Sequence, residues 1–78
     1  MKYKNYMTGL EFSRLRLKKD LSQSEIAAVL GVSIITVKSW EHERRNIPKT
    51  VNNFLRLSIN QVPSDKLKEI SIKLKKDD

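Results

Sequence analysis

The sequence predicts an all-α fold built from five short helices. Two Ser/Thr-x-x-Glu pairs, Thr8 with Glu11 and Ser22 with Glu25, have the spacing of capping boxes, in which two side chains bond the free amides at a helix start. Apolar residues recur at helical spacing after the predicted starts. Gly31 and the two prolines follow where these stripes stop, since glycine tolerates positive φ and proline cannot continue a helix.

The first two helices are predicted from their capping pairs. Helix 1 should begin at Thr8, end near Lys19, and place Phe12 and Leu15 on one apolar face. Helix 2 should begin at Ser22 and last about two turns before its glycine stop. Its apolar side is formed by Ile26, Ala27, Val29 and Leu30.

Helix 3 should be capped by Ser33 and should turn Val37 and Trp40 toward the core. The residues left pointing elsewhere are Ile34, Ile35, Lys38, Ser39 and His42. Two outward isoleucines are unusual, because they expose apolar area. One explanation is contact with thymine methyl groups in the DNA major groove. The alternative is that one of them completes the core or a dimer interface, and His42 is expected to be an ordinary surface residue.

Helices 4 and 5 are predicted after two prolines. Pro48 suits the first turn of a helix that should run through Lys49 to Asn60. Its core stripe is Val51, Phe54, Leu55 and Ile59. Ser64 should cap helix 5, whose narrower stripe is Leu67, Ile70 and Leu74. Helix 5 is expected to pack back on helices 1 and 4, and Ile72, which falls off the stripe, leaves open a dimer surface instead.

Composition restricts the function classes. Sixteen Lys and Arg against nine Asp and Glu give a net charge of +7 and a pI near 9.9, so polyanions, with nucleic acid first, are the expected partners. Without cysteine and with a single histidine, a disulfide framework, a thiolate nucleophile and a multi-histidine metal site are excluded. No cofactor and no enzymatic constellation is expected. The longest apolar run, residues 27–30, is too short for a membrane helix, and a cytoplasmic location is the default expectation.

Most of the net positive charge lies in the first 60 residues. Residues 1–60 carry eleven basic and five acidic residues, whereas residues 61–78 carry five and four. We therefore expect a DNA-binding domain at 8–60, an N-terminal arm at 1–7, and a C-terminal helix with a short charged tail at 61–78. The arm is either a frayed terminus or a basic segment that contacts DNA backbone through Lys2, Tyr3, Lys4 or Tyr6.

The central segment resembles the Cro/C1-type (XRE-like) helix-turn-helix family of phage repressors, antitoxins and small bacterial regulators. The resemblance covers roughly residues 11–59. The residues that carry it are Arg16, Leu21-Ser22-Gln23, Ile26-Ala27, Leu30-Gly31-Val32-Ser33, Thr36-Val37, Trp40-Glu41 and Arg44-Arg45-x-x-Pro48. It implies a five-helix, lambda-repressor-like fold with helices 2 and 3 as the helix-turn-helix. Glu43 departs from the pattern, because glycine is common at its position, and a different cap for helix 3 is therefore expected.

The resemblance also implies roles for individual residues. Arg16 would pair with Glu41, since arginine can hold a carboxylate with two hydrogen bonds, although two independent surface charges are the alternative. Base-facing residues would be Ser33, Ile34, Ile35, Lys38 and Ser39. Phosphate-binding residues would be Gln23, Thr36, Arg44, Arg45, Asn46 and Lys49.

The expected function is sequence-specific binding of double-stranded DNA by a small repressor, as a homodimer on an inverted repeat. Three contexts remain open: a phage regulator, an antitoxin with a cognate toxin, or an anti-CRISPR-associated autorepressor. Little room for a separate toxin-binding segment slightly favours the first and third. Two alternatives from other classes are a protein-interaction module that uses the helix 3 isoleucines and an RNA-binding regulator, although clustered aromatics that stack on unpaired bases are missing.

Overall fold

The computed structural model describes residues 7–74, and this part of the chain forms five α-helices and one short 3-10 helix, without a β-strand. The helices are α1 Gly9–Lys18, α2 Gln23–Leu30, α3 Ile34–Glu41, α4 Lys49–Leu57 and α5 Ser64–Leu74, with the 3-10 helix Ile59–Gln61 between α4 and α5. The prediction of an all-α fold with five helices is confirmed. Within this range no helix is long and apolar enough to cross a membrane. The proposed arm contacts of residues 2–6 and the tail at 75–78 lie outside the described residues.

Reciprocal side-chain caps define the starts of α1 and α2. Thr8 Oγ1 accepts a hydrogen bond from the Glu11 amide at 3.1 Å, and Glu11 Oε1 accepts one from the Thr8 amide at 2.9 Å. Ser22 and Glu25 form the same pair at 3.0 and 2.8 Å. Both capping boxes are therefore present as predicted, and each satisfies amides that a helix start otherwise leaves free.

The first three helices end alike, each followed by one residue in the left-handed conformation. These residues are Asp20, Gly31 and Glu43, with φ values of 57°, 74° and 60°. The next amide then donates to a carbonyl five residues earlier, in the pairs Leu21 to Arg16, Val32 to Ala27 and Arg44 to Ser39. This is the Schellman pattern, which turns the chain sharply and satisfies the last carbonyls of the helix. Among the three, Gly31 alone has no Cβ to strain.

One hydrophobic core joins all five helices. Its least exposed large side chains, each at most 1% exposed, are Phe12, Ile26, Val37, Leu55 and Leu67. The rings of Phe12 and Trp40 meet edge to face, with centroids 5.6 Å apart and planes at 75°, an arrangement that aromatic pairs favour. Because Leu67 of α5 shares this core with the first four helices, α5 belongs to the same folded unit.

The folded unit begins slightly before the predicted domain boundary. Met7, assigned to the arm from the sequence, is 7% exposed and belongs to the core. It precedes the Thr8 cap, while Phe12 is the fourth residue of α1, so the two have the positions of a hydrophobic staple. Burial of Met7 beside the helix start is the physical reason for the correction.

α4 is shorter than predicted and exposes one residue that was expected in the core. It ends at Leu57, and the chain continues in the 3-10 helix rather than in an α-helix to Asn60. Phe54 is 44% exposed, whereas Leu55 and Ile59 are buried. The core stripe therefore follows every fourth residue through Val51, Leu55 and Ile59, and Phe54 lies at its edge.

α5 packs mainly against α2, whereas the sequence predicted packing on α1 and α4. Lys68 Nζ lies 3.5 Å from the Asp20 carboxylate and 3.8 Å from that of Glu25, which adds two ion pairs beside α2. Ser71 is buried, and its Oγ donates to the Lys68 carbonyl at 2.7 Å. Ser71 thus adds a small, hydrogen-bonded side chain to the buried face of α5, while Ile72 remains exposed.

Candidate nucleic-acid interface

α3 has one buried face and one exposed face. Val37 and Trp40, three residues apart, are 0% and 3% exposed and hold the helix on the core. On the opposite side Ile35 is 71% exposed, and Lys38 is exposed beside it. α3 has eight residues, or about two turns. Its inner side is used by the core contacts, so the outer side of these two turns is available to a partner.

An open groove of ≈ 290 Å³ follows the exposed face of α3. Its lining residues are Ile35, Lys38, Ser39, His42 and Arg44, and we call it the α3 groove. The first four are spaced i, i+3, i+4 and i+7, so they form one helical stripe. The groove combines apolar surface, a hydroxyl and cations, which are the groups that contact thymine methyls, base edges and phosphates. His42 was expected to be an ordinary surface residue, and its i+7 position from Ile35 is the sequence signal that places it here.

The two isoleucines at the start of α3 face different surroundings. Ile35 lies in the α3 groove, whereas Ile34, 38% exposed, lines a second groove between the α2–α3 turn and the end of α5. The other residues of that second groove are Ser24, Ala27, Ala28, Gly31, Val32 and Leu74. The structure therefore separates Ile34 from the side chains with which the sequence grouped it.

Ser33 and Thr36 are joined at the N-terminal end of α3. Ser33 Oγ accepts from the Thr36 amide at 3.1 Å and lies 3.0 Å from Thr36 Oγ1. Ser33 therefore caps the helix as predicted, and its hydroxyl already has two partners within the chain. Both hydroxyls remain near the solvent-facing start of α3, where helix-turn-helix proteins approach DNA.

Arg16 on α1 and Glu41 on α3 form a two-pronged ion pair. Arg16 Nε donates to Glu41 Oε2 at 2.7 Å, and Arg16 Nη2 donates to Glu41 Oε1 at 3.2 Å. The two side chains are only 13% and 8% exposed. Arg16 Nη1 also donates to the Leu21 carbonyl at 2.9 Å. One guanidinium thus connects α1, α3 and the turn between α1 and α2.

Gln23 has a structural contact that the sequence did not indicate. Its Nε2 donates to Glu41 Oε1 at 3.0 Å, which adds the start of α2 to the ion pair. We call Arg16, Gln23 and Glu41 the Glu41 network. An amide nitrogen carries two protons, so this contact leaves Gln23 a second N–H for the phosphate contact predicted from its place at the helix start.

The pKa of Glu41 reflects a balance between burial and hydrogen bonding. Burial raises the pKa of this carboxyl, but the hydrogen bonds from Arg16 and Gln23, the charge of Arg16 and a hydrogen bond from Ser13 outweigh the burial. The pKa therefore lies below its ordinary value. Glu41 is a charged structural group at neutral pH, and its charge is bound to α1 and α2 instead of facing the α3 groove.

A basic edge continues from the α3 groove into α4. Its exposed members are Arg44, Arg45, Asn46 and Lys49. Ile47, 5% exposed, fixes the loop in the core. Pro48 is the N-cap residue of α4 and, lacking a hydroxyl or carboxylate, gives that helix start no side-chain cap. Lys49 is the first residue of α4, so a cation and free backbone amides occur together, as at anion-binding helix starts.

Comparison with known families gives a match over the centre of the chain. The family described as helix-turn-helix matches residues 13–51, half of the sequence, from within α1 into the start of α4. The chain belongs to the Cro/C1-type (XRE-like) helix-turn-helix family. Comparisons with curated proteins and with solved structures gave no match.

Membership of the helix-turn-helix family explains the arrangement of the molecule. The five helices form the small lambda-repressor-like fold, in which α2 and α3 are the helix-turn-helix. The family is a DNA-binding, non-enzymatic domain, and the chain is a DNA-binding transcription regulator in this general sense. α3 is the second helix of this motif, and its exposed face carries the α3 groove.

The departure from the family pattern at Glu43 has a different effect from the one expected. The backbone after α3 keeps the hydrogen-bond pattern seen at Gly31, with Glu43 itself in the left-handed conformation. The new feature is the side chain, because Glu43 Oε2 accepts a hydrogen bond from the Gly9 amide of α1 at 2.8 Å. Sequence spacing could not indicate this contact between positions 34 residues apart.

Proposed function

We propose that this helix-turn-helix protein is a sequence-specific transcriptional repressor that binds double-stranded DNA as a homodimer in the cytoplasm. The α3 groove is the observation that carries the proposal, because it presents apolar, hydroxyl and cationic side chains in one stripe on an exposed helix. An α-helix fits the DNA major groove, and the second helix of the motif is the one that enters it.

The proposed base contacts lie along the α3 groove. Ile35, with its side chain mostly exposed, would contact a thymine methyl group. Lys38 would reach a guanine edge or a phosphate, and Ser39 a hydrogen-bonding group of a neighbouring base. Ser33 is added from its place at the start of α3. We leave Ile34 out of this set, because it lines the second groove beside Leu74.

The proposed phosphate contacts surround the base contacts. They are Gln23, Thr36, Arg44, Arg45, Asn46 and Lys49. Gln23 lies at the start of α2, and Lys49 at the uncapped start of α4, where backbone amides and the helix dipole favour an anion. If about five phosphates are neutralised per monomer, the logarithm of the affinity should fall with the logarithm of salt concentration at a slope of about −4 to −5.

A homodimer on an inverted repeat follows from the small size of the interface. One short α3 reaches only a few base pairs, and a second copy doubles the contacts and requires half-sites about one helical turn apart. Such a protein would repress transcription by covering a promoter, which could be the promoter of its own small operon. The candidates for that operon are a phage operon, an anti-CRISPR-associated operon and a toxin–antitoxin operon.

Selection of bound duplexes from a random pool tests the proposal. The expected result is an enriched inverted repeat, and Lys38→Ala should weaken binding to it much more than Lys66→Ala. The control removes the same charge from an exposed position on α5. Failure to enrich any sequence would contradict specific readout, and stronger competition by RNA than by the duplex would favour the RNA-binding alternative. An equal loss of affinity in Lys38→Ala and Lys66→Ala would show that Lys38 contributes only general charge attraction.

A further inference from the structure

Glu43 has a backbone conformation that its residue type disfavours. Its φ of 60° lies in the left-handed region, where a Cβ crowds the following carbonyl and glycine is preferred. Asp20 shares the conformation, but a short Asp side chain tolerates it better than a glutamate. A glutamate at this position therefore calls for a compensating contact.

The compensating contact is a hydrogen bond to another helix. Glu43 Oε2 accepts from the amide of Gly9, the first residue of α1, at 2.8 Å, and we call this the Glu43–Gly9 contact. That amide is one of those a helix start leaves without an intrahelical partner, and a negative charge is favourable there. Thr8 caps the Glu11 amide nearby, so the two side chains satisfy different amides of the same turn.

The absence of a side chain at Gly9 allows the close approach that this contact requires. A Cβ at Gly9 would overlap the carbonyl oxygen of Trp40 and lie 2.9 Å from Glu43 Oε2 and 3.0 Å from the carbonyl oxygen of Glu41. The start of α1 therefore lies directly against the end of α3, closer than any other residue type allows. Glu43 stands where the family has glycine, and Gly9 stands where α1 meets α3. The two residues are complementary features of one junction between these helices.

The junction fixes one end of the loop that carries the basic edge. Glu43 holds that end on α1, and Ile47, buried in the core, holds the other. Only the exposed residues 44–46 lie between these two points, and among them the Arg44 amide donates to the Ser39 carbonyl of α3. Three residues between two anchors have few paths, so the direction of Arg44 and Arg45 depends on where Glu43 is held.

We propose that Glu43 is a positioning residue whose contact with Gly9 fixes the Arg44–Arg45 loop in the orientation required for phosphate binding. The role in DNA affinity rests on the proposed DNA-binding function, whereas the contact itself does not. Charge alone predicts the opposite sign, because removing a carboxylate from a basic surface should strengthen DNA binding. Weaker binding after loss of Glu43 is therefore a specific consequence of positioning.

Three substitutions separate the parts of the proposal. Glu43→Gly removes the contact and also relieves the backbone strain, Glu43→Ala removes the contact alone, and Glu43→Gln keeps an oxygen acceptor of the same reach. Glu69→Ala removes the same charge from an exposed position on α5 and is the matched control. Amide hydrogen exchange followed by NMR reports on Gly9 and Arg44, with Gly31 as an internal reference, and binding is measured on a duplex from the random pool.

We expect Glu43→Gly and Glu43→Ala to speed exchange at Gly9 about tenfold and to weaken duplex binding about fivefold, while Gly31 is unchanged. Glu43→Gly should melt no lower than wild type, so its affinity falls without a loss of stability, and Glu43→Gln should restore most of both readouts. Unchanged Gly9 exchange in Glu43→Ala would overturn the contact. Faster exchange with equal or stronger DNA binding would overturn the positioning role. If wild type binds no duplex, the DNA-binding proposal fails, and faster exchange at both Gly9 and Arg44 in Glu43→Ala would still show that Glu43 holds the loop, whereas unchanged exchange at Arg44 would show that it does not.

Discussion

The two faces of α3 are under different physical constraints. Val37 and Trp40 on the inner face are buried, and Glu41 at the end of the helix is held by two other helices. Ile35 and Lys38 on the outer face are exposed and line an open groove. The inner face is required for the fold, whereas nothing in the packing requires an isoleucine on the outer face. Substitutions on the two faces should therefore change different measured quantities, stability for the inner face and DNA binding for the outer one.

The largest effect is expected from Trp40→Ala on the inner face. It removes a side chain that is 3% exposed together with its edge-to-face contact with Phe12, and truncation of a buried large aromatic typically costs about 3–5 kcal/mol. Urea unfolding followed by circular dichroism measures the loss. Lys38→Ala, two residues away on the outer face, is the matched variant and should stay within about 0.5 kcal/mol of wild type. A large loss from both would mean that the two faces are not separable.

The second effect concerns the Glu41 network, which connects α3 to the scaffold. Arg16→Ala leaves a mostly buried carboxylate without its cation, although Gln23 still bonds it, and should lower stability by about 2–3 kcal/mol, together with DNA affinity, because α3 loses an anchor. Arg16→Lys keeps the charge but not the two parallel hydrogen bonds, so its stability should lie between those of wild type and Arg16→Ala. Melting equal to that of wild type in Arg16→Ala would reduce the pair to two surface charges.

The same network predicts a pH dependence. The folded-state pKa of Glu41 lies below its ordinary value, so its contribution to stability is present above the unfolded-state pKa and is lost as the pH falls through the folded-state pKa. Wild type should therefore lose more stability on acidification than Arg16→Ala does. Parallel losses in the two proteins, measured by urea unfolding across the acidic range, would show that Glu41 does not carry this dependence.

Local rules account for the part of this molecule that was predictable from sequence. The caps at Thr8, Ser22 and Ser33 and the stop at Gly31 depend on residues within one turn, and spacing alone placed Val37 and Trp40 inward. Contacts between distant elements were less accessible. α5 packs on α2 and buries a serine, Ser71, which a hydrophobic pattern does not count.

The candidate site shows the same limit. Periodicity pointed Ile35 and Lys38 outward. At about 100° per residue, Ile35 lies opposite the face formed by Val37 and Trp40, whereas Ile34 lies about 90° from the centre of that face, at its boundary, so spacing alone could not place Ile34. The contact of Gln23 with Glu41 and that of Glu43 with Gly9 join residues far apart in sequence. Such contacts follow from how the helices are placed, which spacing within one helix does not determine.

The third effect is expected from the basic edge. Arg44→Ala should leave the unfolding transition unchanged, since the side chain is exposed, and should reduce the salt slope of DNA binding by about 1, or about tenfold in affinity near 0.1 M salt. Affinity measured between low and high salt on the selected duplex gives both numbers. The loss should be similar on specific and unrelated duplexes, because phosphates carry no direct sequence information. A loss confined to one sequence would make Arg44 a base contact instead.

The smallest and most specific effect is expected from Ile35→Ala. If Ile35 covers a thymine methyl group, its truncation should cost about 1 kcal/mol on the selected site, roughly the worth of one buried methyl or methylene group, with no change in salt slope. Replacing the thymines of the half-site one at a time by deoxyuridine removes the same methyl from the DNA. At the contacted position the two changes should not add, because each deletes one side of a single contact, whereas they should add at every other position. Additivity at all positions would show that Ile35 touches no thymine methyl, and its exposure would then favour a protein partner on the outer face of α3.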